Sequence, residues 1–280
     1  MRNVVAMLFL LVTGPTLAAG FQPFAGPTPE LVWIQPNSWA MVMGSDTPQF
    51  VLYDNGQVIY AKLDGREFTY HSCVLNESQV KEVRQNVAAV LQVKTLKQWY
   101  SLVHATDQPI ASFFFHPTTK SDPIIVEAYG LAYPDGDSRG SRALEAEKKL
   151  YPDEKRDEVP TELMSLDKYL GSFDVKDCPV WQPQYIEVMI WSFDYAKTAP
   201  VTWPKDWPGL NSERTMPRHD GAYSIFLDGV KLSELQKLLA PLDEGGAMIL
   251  DGKKWAVAFR PAVPSEPVWR TAFEKVEEQQ

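Results

Sequence analysis

The sequence predicts an α+β protein: antiparallel sheets, each packed by an amphipathic helix, in two similar lobes. Three observations carry this. From Phe50 onward, apolar, β-branched and aromatic residues recur at period two, broken by the turn signals Asp54-Asn55-Gly56 and Asp64-Gly65. Each half holds one apolar stripe at helical spacing. A charged stretch poor in large apolar groups then separates two runs of similar order: strand, helix, hairpin. The organisation that follows is residues 1–20 as signal peptide and 21–133 as the N-terminal lobe. Residues 134–178 form a charged connector with a short helix, and 179–280 the C-terminal lobe.

The chain opens on MRNVVAMLFLLVTGPTLAAG. Arg2 supplies a positive start, Val4 to Val12 an apolar run, Gly14-Pro15 a break, and Ala18, Ala19 and Gly20 small residues for cleavage. The apolar run is far short of the ~20 residues that a membrane span needs, so this is an export signal and not an anchor. The expected location is secreted or periplasmic, with no membrane insertion of the mature chain. Residues 21–48 carry five prolines and read as an extended lead-in with two exposed tryptophans, Trp33 and Trp39.

Strands are expected near 50–54, 57–63 and 67–74. Asn76 then precedes SQVKEVRQNVAAVLQ, with Gln79 three positions on, which is a capping-box pattern. Val80, Val83, Val87, Val90 and Leu91 give that helix one apolar face. Trp99 to Ala105, Ile110 to His116 and Ile124 to Leu131 follow as strands. The connector PDGDSRGSRALEAEKKLYPDEKRDEVPTE holds a solvated helix at about 142–150. In the second half, Tyr185 to Phe193 and Tyr223 to Leu227 are strands, and Leu232, Leu235, Leu238 and Leu239 mark a helix that Ser233 opens. Ala247 to Leu250 and Lys254 to Phe259 pair across Asp251-Gly252, and the polar tail after Trp269 frays.

Composition narrows function. With 45% hydrophobic residues the chain builds a real core. Without Arg2, 26 basic residues stand against 36 acids, a net charge of −10 that disfavours nucleic acid as a partner. The only cysteines, Cys73 and Cys178, are expected to pair in an oxidising compartment; the alternative is two buried thiols. Asn76-Glu77-Ser78 matches the N-glycosylation pattern, but Asn76 reads as the helix cap.

The usual chemistries find no motif. His71, His104, His116 and His219 make no zinc-type spacing. Asp135-Gly136-Asp137-Ser138-Arg139-Gly140 starts like a calcium loop but puts Arg139 and Ala146 where oxygen ligands belong. No nucleophile elbow and no phosphate loop occurs, so no catalytic residue, metal or cofactor is assigned. What stands out is aromatic. VTWPKDWPGL sets Trp203 and Trp207 four apart between prolines, where they either face outward for stacking or fold back as a lid. Phe114, in the run Phe113-Phe114-Phe115, points away from its neighbours and marks a second packing surface or an interface. The expected function is an exported, non-enzymatic module that binds a protein or glycan partner through aromatic surface at Trp203, Trp207 and Phe114. An exported hydrolase with a dispersed site and a structural or assembly protein are the alternatives.

Overall fold

The computed structural model describes residues 20–35, 47–64, 67–104, 108–117, 122–131, 149–150, 152, 156–196, 198–242 and 246–277. The signal peptide, Trp39, the calcium-like loop at 135–140 and most of the helix expected at 142–150 lie outside the described residues.

Two mixed sheets form the frame. The first runs in the order β4 (Glu67–Val74), β3 (Gln57–Asp64), β2 (Phe50–Tyr53), β1 (Pro29–Ile34), β6 (Ile110–Phe115), β7 (Ile124–Tyr129), β5 (Trp99–Ser101). The second runs β10 (Thr215–Pro217), β11 (Tyr223–Asp228), β8 (Tyr185–Ser192), β13 (Lys253–Pro261), β12 (Met248–Leu250), β9 (Val201–Thr202). The pairing is mostly antiparallel, as expected, but β5 joins β7 and β9 joins β12 in parallel. Both parallel strands are short edges reached after a long excursion of the chain, where no hairpin dictates direction.

Turn chemistry builds the hairpins. Gly56 takes φ +80° between β2 and β3, a conformation that costs glycine nothing. Asp251 and Gly252 take φ 52° and 76° between β12 and β13, the paired left-handed geometry that matches strand twist.

Helices cover both faces of the first sheet. α1 (Glu77–Leu91) begins at Asn76, whose side chain accepts from Gln79 N while the Gln79 side chain accepts from Asn76 N. α2 (Thr161–Gly171) starts directly after Pro160. Val83, Val87 and Val90 of the first and Leu163, Leu166 and Leu170 of the second bury against Leu31, Phe50, Leu52, Phe113 and Phe115. Each such side chain contributes roughly 1.5–3 kcal/mol by leaving water. The opposite face, with Val32, Val51, Tyr53, Ile59 and Phe114, packs under α4 (Glu266–Glu277) through Trp269, Phe273 and Val276. On the second sheet, α3 (Leu232–Leu239) inserts Leu235 beside Val188, Ile190 and Ile225.

Three expectations need correction. The lead-in is more than a lead-in: Pro29–Ile34 is the central strand of the first sheet, and Trp33, expected to be exposed, is only 5% exposed. The tail after Trp269 is not frayed up to Glu277, because Trp269, Phe273 and Val276 repeat at helical spacing and find a sheet face. The connector also contributes α2, which packs on the first sheet's core.

Residues 21–27 and the segment just before α4 meet beside the second sheet. Phe21 and Phe24 pack on Phe226 of β11, with ring centroids 5.6 and 5.4 Å apart. Ser265 N donates to Phe24 O and Ser265 Oγ to Pro27 O, just before α4 leaves to cover β1, β6 and β7. Among the described residues, no helix is long and apolar enough to cross a membrane.

Candidate functional site

Trp203 and Trp207 are core residues, 4% and 8% exposed, and this corrects the expectation of an outward aromatic surface. Their rings meet edge to face at 5.0 Å, and Trp203 Nε1 donates to Pro208 O at 3.0 Å. The proline-stiffened loop folds them back because an indole with a satisfied N–H gains more from the apolar face of the second sheet than from water. Phe114 is fully buried on the second packing face of its strand, beneath α4.

The four histidines are placed apart in the fold: His71 on β4, His104 after β5, His116 at the end of β6 and His219 opening a short 3-10 turn before β11. Among the described residues, no group of three His, Cys, Asp or Glu side chains is placed to hold a metal ion. Cys73 and Cys178 lie at disulfide-bonding distance, with Cα atoms 5.6 Å apart.

A carboxylate with shifted acidity does occur. Asp167 of α2 accepts from Trp33 Nε1 at 3.0 Å and from Gln35 Nε2 at 3.1 Å. Burial pushes its pKa up to about 6, against the pull of those two donors. The partners are an indole and an amide, so the second carboxylate that glycoside hydrolysis needs is not among them.

A second cluster has a buried centre, Glu187, Arg260 and Glu266, flanked by the partly exposed Arg218 and Arg270. Glu187 of β8 accepts from Arg218 Nη1 at 2.8 Å, Ser224 Oγ at 2.5 Å and Arg260 Nε at 2.8 Å. Arg260 Nη2 continues to Glu266 Oε1 at 2.5 Å, and Arg270 also donates to Glu266. Burial and the nearby Glu266 carboxylate hold the Tyr53 phenol well above its ordinary pKa. The opposed charges make this an internal lock between β8, β13 and α4, with Glu266 Oε2 buried and left without a hydrogen-bond partner.

An open concave surface occurs elsewhere among the described residues. A cleft of about 470 Å³ lies between the β2–β3 turn and the first three turns of α1. Asp54, Asn55 and Gly56 form one wall, Leu75, Val80 and Ala88 the apolar floor, and Glu77, Lys81 and Arg84, with the neutral Gln85 beside them, the charged stripe. The stripe follows from spacing: Glu77, Lys81, Arg84 and Ala88 fall on one helical face. Arg84 is committed to β1, with Nε and Nη2 each 2.9 Å from the Glu30 carboxylate. Asp54, Glu77 and Lys81 have no side-chain partner among the described residues. The lining holds no His, Cys or Ser and no aromatic ring. It can hold and orient a ligand bearing both charges.

Sequence reading missed this cleft. Its residues were legible only as a hairpin turn and a helix surface, and their approach depends on how α1 lies on the sheet. Compared with protein-family models, curated proteins and solved structures, the chain matches none.

Proposed function

We propose that the chain is an exported, non-enzymatic binding module that captures a peptide segment of a protein partner in the cleft between the β2–β3 turn and α1. One observation carries the reading: an open cleft with an apolar floor, rimmed by Asp54, Glu77 and Lys81, whose side chains have no partner among the described residues. The absence of an aromatic ring in the lining favours a peptide over a sugar, since glycan sites rely on stacking. The signal-like first twenty residues and the paired cysteines support action outside the cytoplasm. With the tryptophans inside, the aromatic-surface route gives way to charge and shape.

The test is fluorescence polarisation of the mature chain against short peptides of acidic, basic and mixed charge pattern, with Asp54→Lys and Lys81→Glu alongside. Mixed-charge peptides are expected to bind best, and each reversal is expected to weaken them at least tenfold. Equal binding by both charge-reversed variants overturns the proposal.

A further inference from the structure

β4 is the end strand of the first sheet, and its outer edge is poorly defended by its own sequence. Phe68 to Val74 reads FTYHSCV, with no Lys, Arg, Asp, Glu or Pro. Natural edge strands normally carry a charge, a proline or a bulge to prevent pairing with another chain. Uncharged, β-favouring runs of this length are the ones that self-pair when exposed. Two side chains of this run, Phe68 and Val74, are 52% and 71% exposed.

Cover comes from elsewhere in the chain. Residues 179–181 lie antiparallel along the edge, with His71 opposite Val180. Ser72 N donates to Pro179 O at 3.1 Å and Trp181 N donates to Tyr70 O at 2.8 Å. This strap is a deficient strand. Pro179 has no N–H to return to Ser72, and Pro183 can donate nothing further along. Its backbone therefore bonds only to the backbone of Tyr70 and Ser72, while His71 Nδ1 lies 2.9 Å from Cys178 O, Trp181 packs on the Tyr70 ring, and the Cys73–Cys178 bridge pins it beside them.

We propose that the Cys73–Cys178 disulfide keeps a latent self-association edge shut, and that its reduction lets β4 pair with β4 of a second copy of this chain. The occupant is argued from the edge itself. A second β4, antiparallel about a two-fold axis at His71, sets Tyr70 against Ser72 and Phe68 against Val74. The second copy's Tyr70 and Ser72 then take the places of Pro179 and Trp181. Both exposed apolar residues gain a cross-strand partner, no like charges are opposed between Phe68 and Val74, and every outward backbone group in that run finds one. The chemical step is thiol–disulfide exchange. An added dithiol gives two electrons and two protons, the S–S bond breaks to leave the Cys73 and Cys178 thiols, and the dithiol closes to its own disulfide.

The experiment compares the oxidised chain, the dithiothreitol-reduced chain and the double variant Cys73→Ser/Cys178→Ser by amide hydrogen exchange and light scattering across a concentration series. A fourth sample, Phe68→Lys/Val74→Lys, restores charge to the edge and is measured reduced. Expected are at least tenfold faster exchange at Trp181 on opening, retained protection at Val51 and Phe114, and concentration-dependent growth in mass. The Lys variant is expected to stay monomeric under reduction. A reduced chain that stays monomeric overturns the proposal. So does association that the Lys variant does not suppress, or loss of protection at Val51 and Phe114, since unfolding would then explain the association.

Discussion

The two faces of the first sheet are filled in opposite ways. Beneath α1 and α2 the layer is apolar: Val83, Val87, Leu163 and Leu166 against Leu31, Phe50 and Phe115. On the other face lies α4, whose Trp269 and Val276 are apolar but whose Glu266 and Arg270 join the charge lock of Glu187, Arg218 and Arg260. The first layer joins helices to a sheet within residues 31–178. The second must hold elements from both halves in one arrangement. Apolar contact is non-directional and tolerates sliding, whereas paired guanidinium and carboxylate groups fix position and orientation.

That contrast can be broken most directly at Arg260. Replacing Arg260 by Met leaves Glu187 and Glu266 buried without their shared donor, and unfolding in urea is expected to show a loss of about 3–5 kcal/mol. A loss below about 1 kcal/mol would mean that the central layer is held by its apolar residues alone. In the outer layer, Leu166→Ala is expected to cost about 2–4 kcal/mol through the cavity it leaves. The same substitution should leave the exchange protection at β13 unchanged, because it touches none of the lock.

Asp167 sharpens the comparison at the rim of the outer layer. Its carboxyl titrates near 6 in the folded chain against the ordinary 3.8, so the folded state holds the proton more tightly. Stability therefore falls as pH rises from about 4 to about 6 and is level above that range. Asp167→Asn keeps an acceptor for Trp33 and Gln35 but carries no charge. It is expected to remove this slope and to raise stability at pH 7 by roughly 1–2 kcal/mol, checked by denaturation across that pH range. A slope that survives the substitution would place its origin elsewhere. The smallest effect belongs to local capping: Asn76→Ala is expected to cost about 1 kcal/mol, read from the thermal midpoint.

Much of the local structure was legible because its causes are local. The Asn76 cap, the valine stripe of α1 and the turns at Gly56 and Gly252 each depend on residues a few positions apart. β1 was not legible, because PELVWI follows a proline-rich start and becomes a strand only between β2 and β6. α4 was discounted for its polar surface, although three apolar residues at helical spacing were present in the sequence. The cleft was illegible for a different reason: its charged rim is an ordinary solvated helix face until the β2–β3 turn stands beside it.

The sequence by itself determined the α+β class, the identity of most strands, the capped helix and which two sulfur atoms were available to pair. These follow from periodicity, capping and composition, which act over a few residues at a time. Only the tertiary structure decided that Trp203 and Trp207 point inward, that residues 21–27 meet Phe226 and Ser265, and that residues 179–181 close the β4 edge. Each of these depends on a partner tens to hundreds of residues away, and no local pattern records which distant surface will be there to bury against.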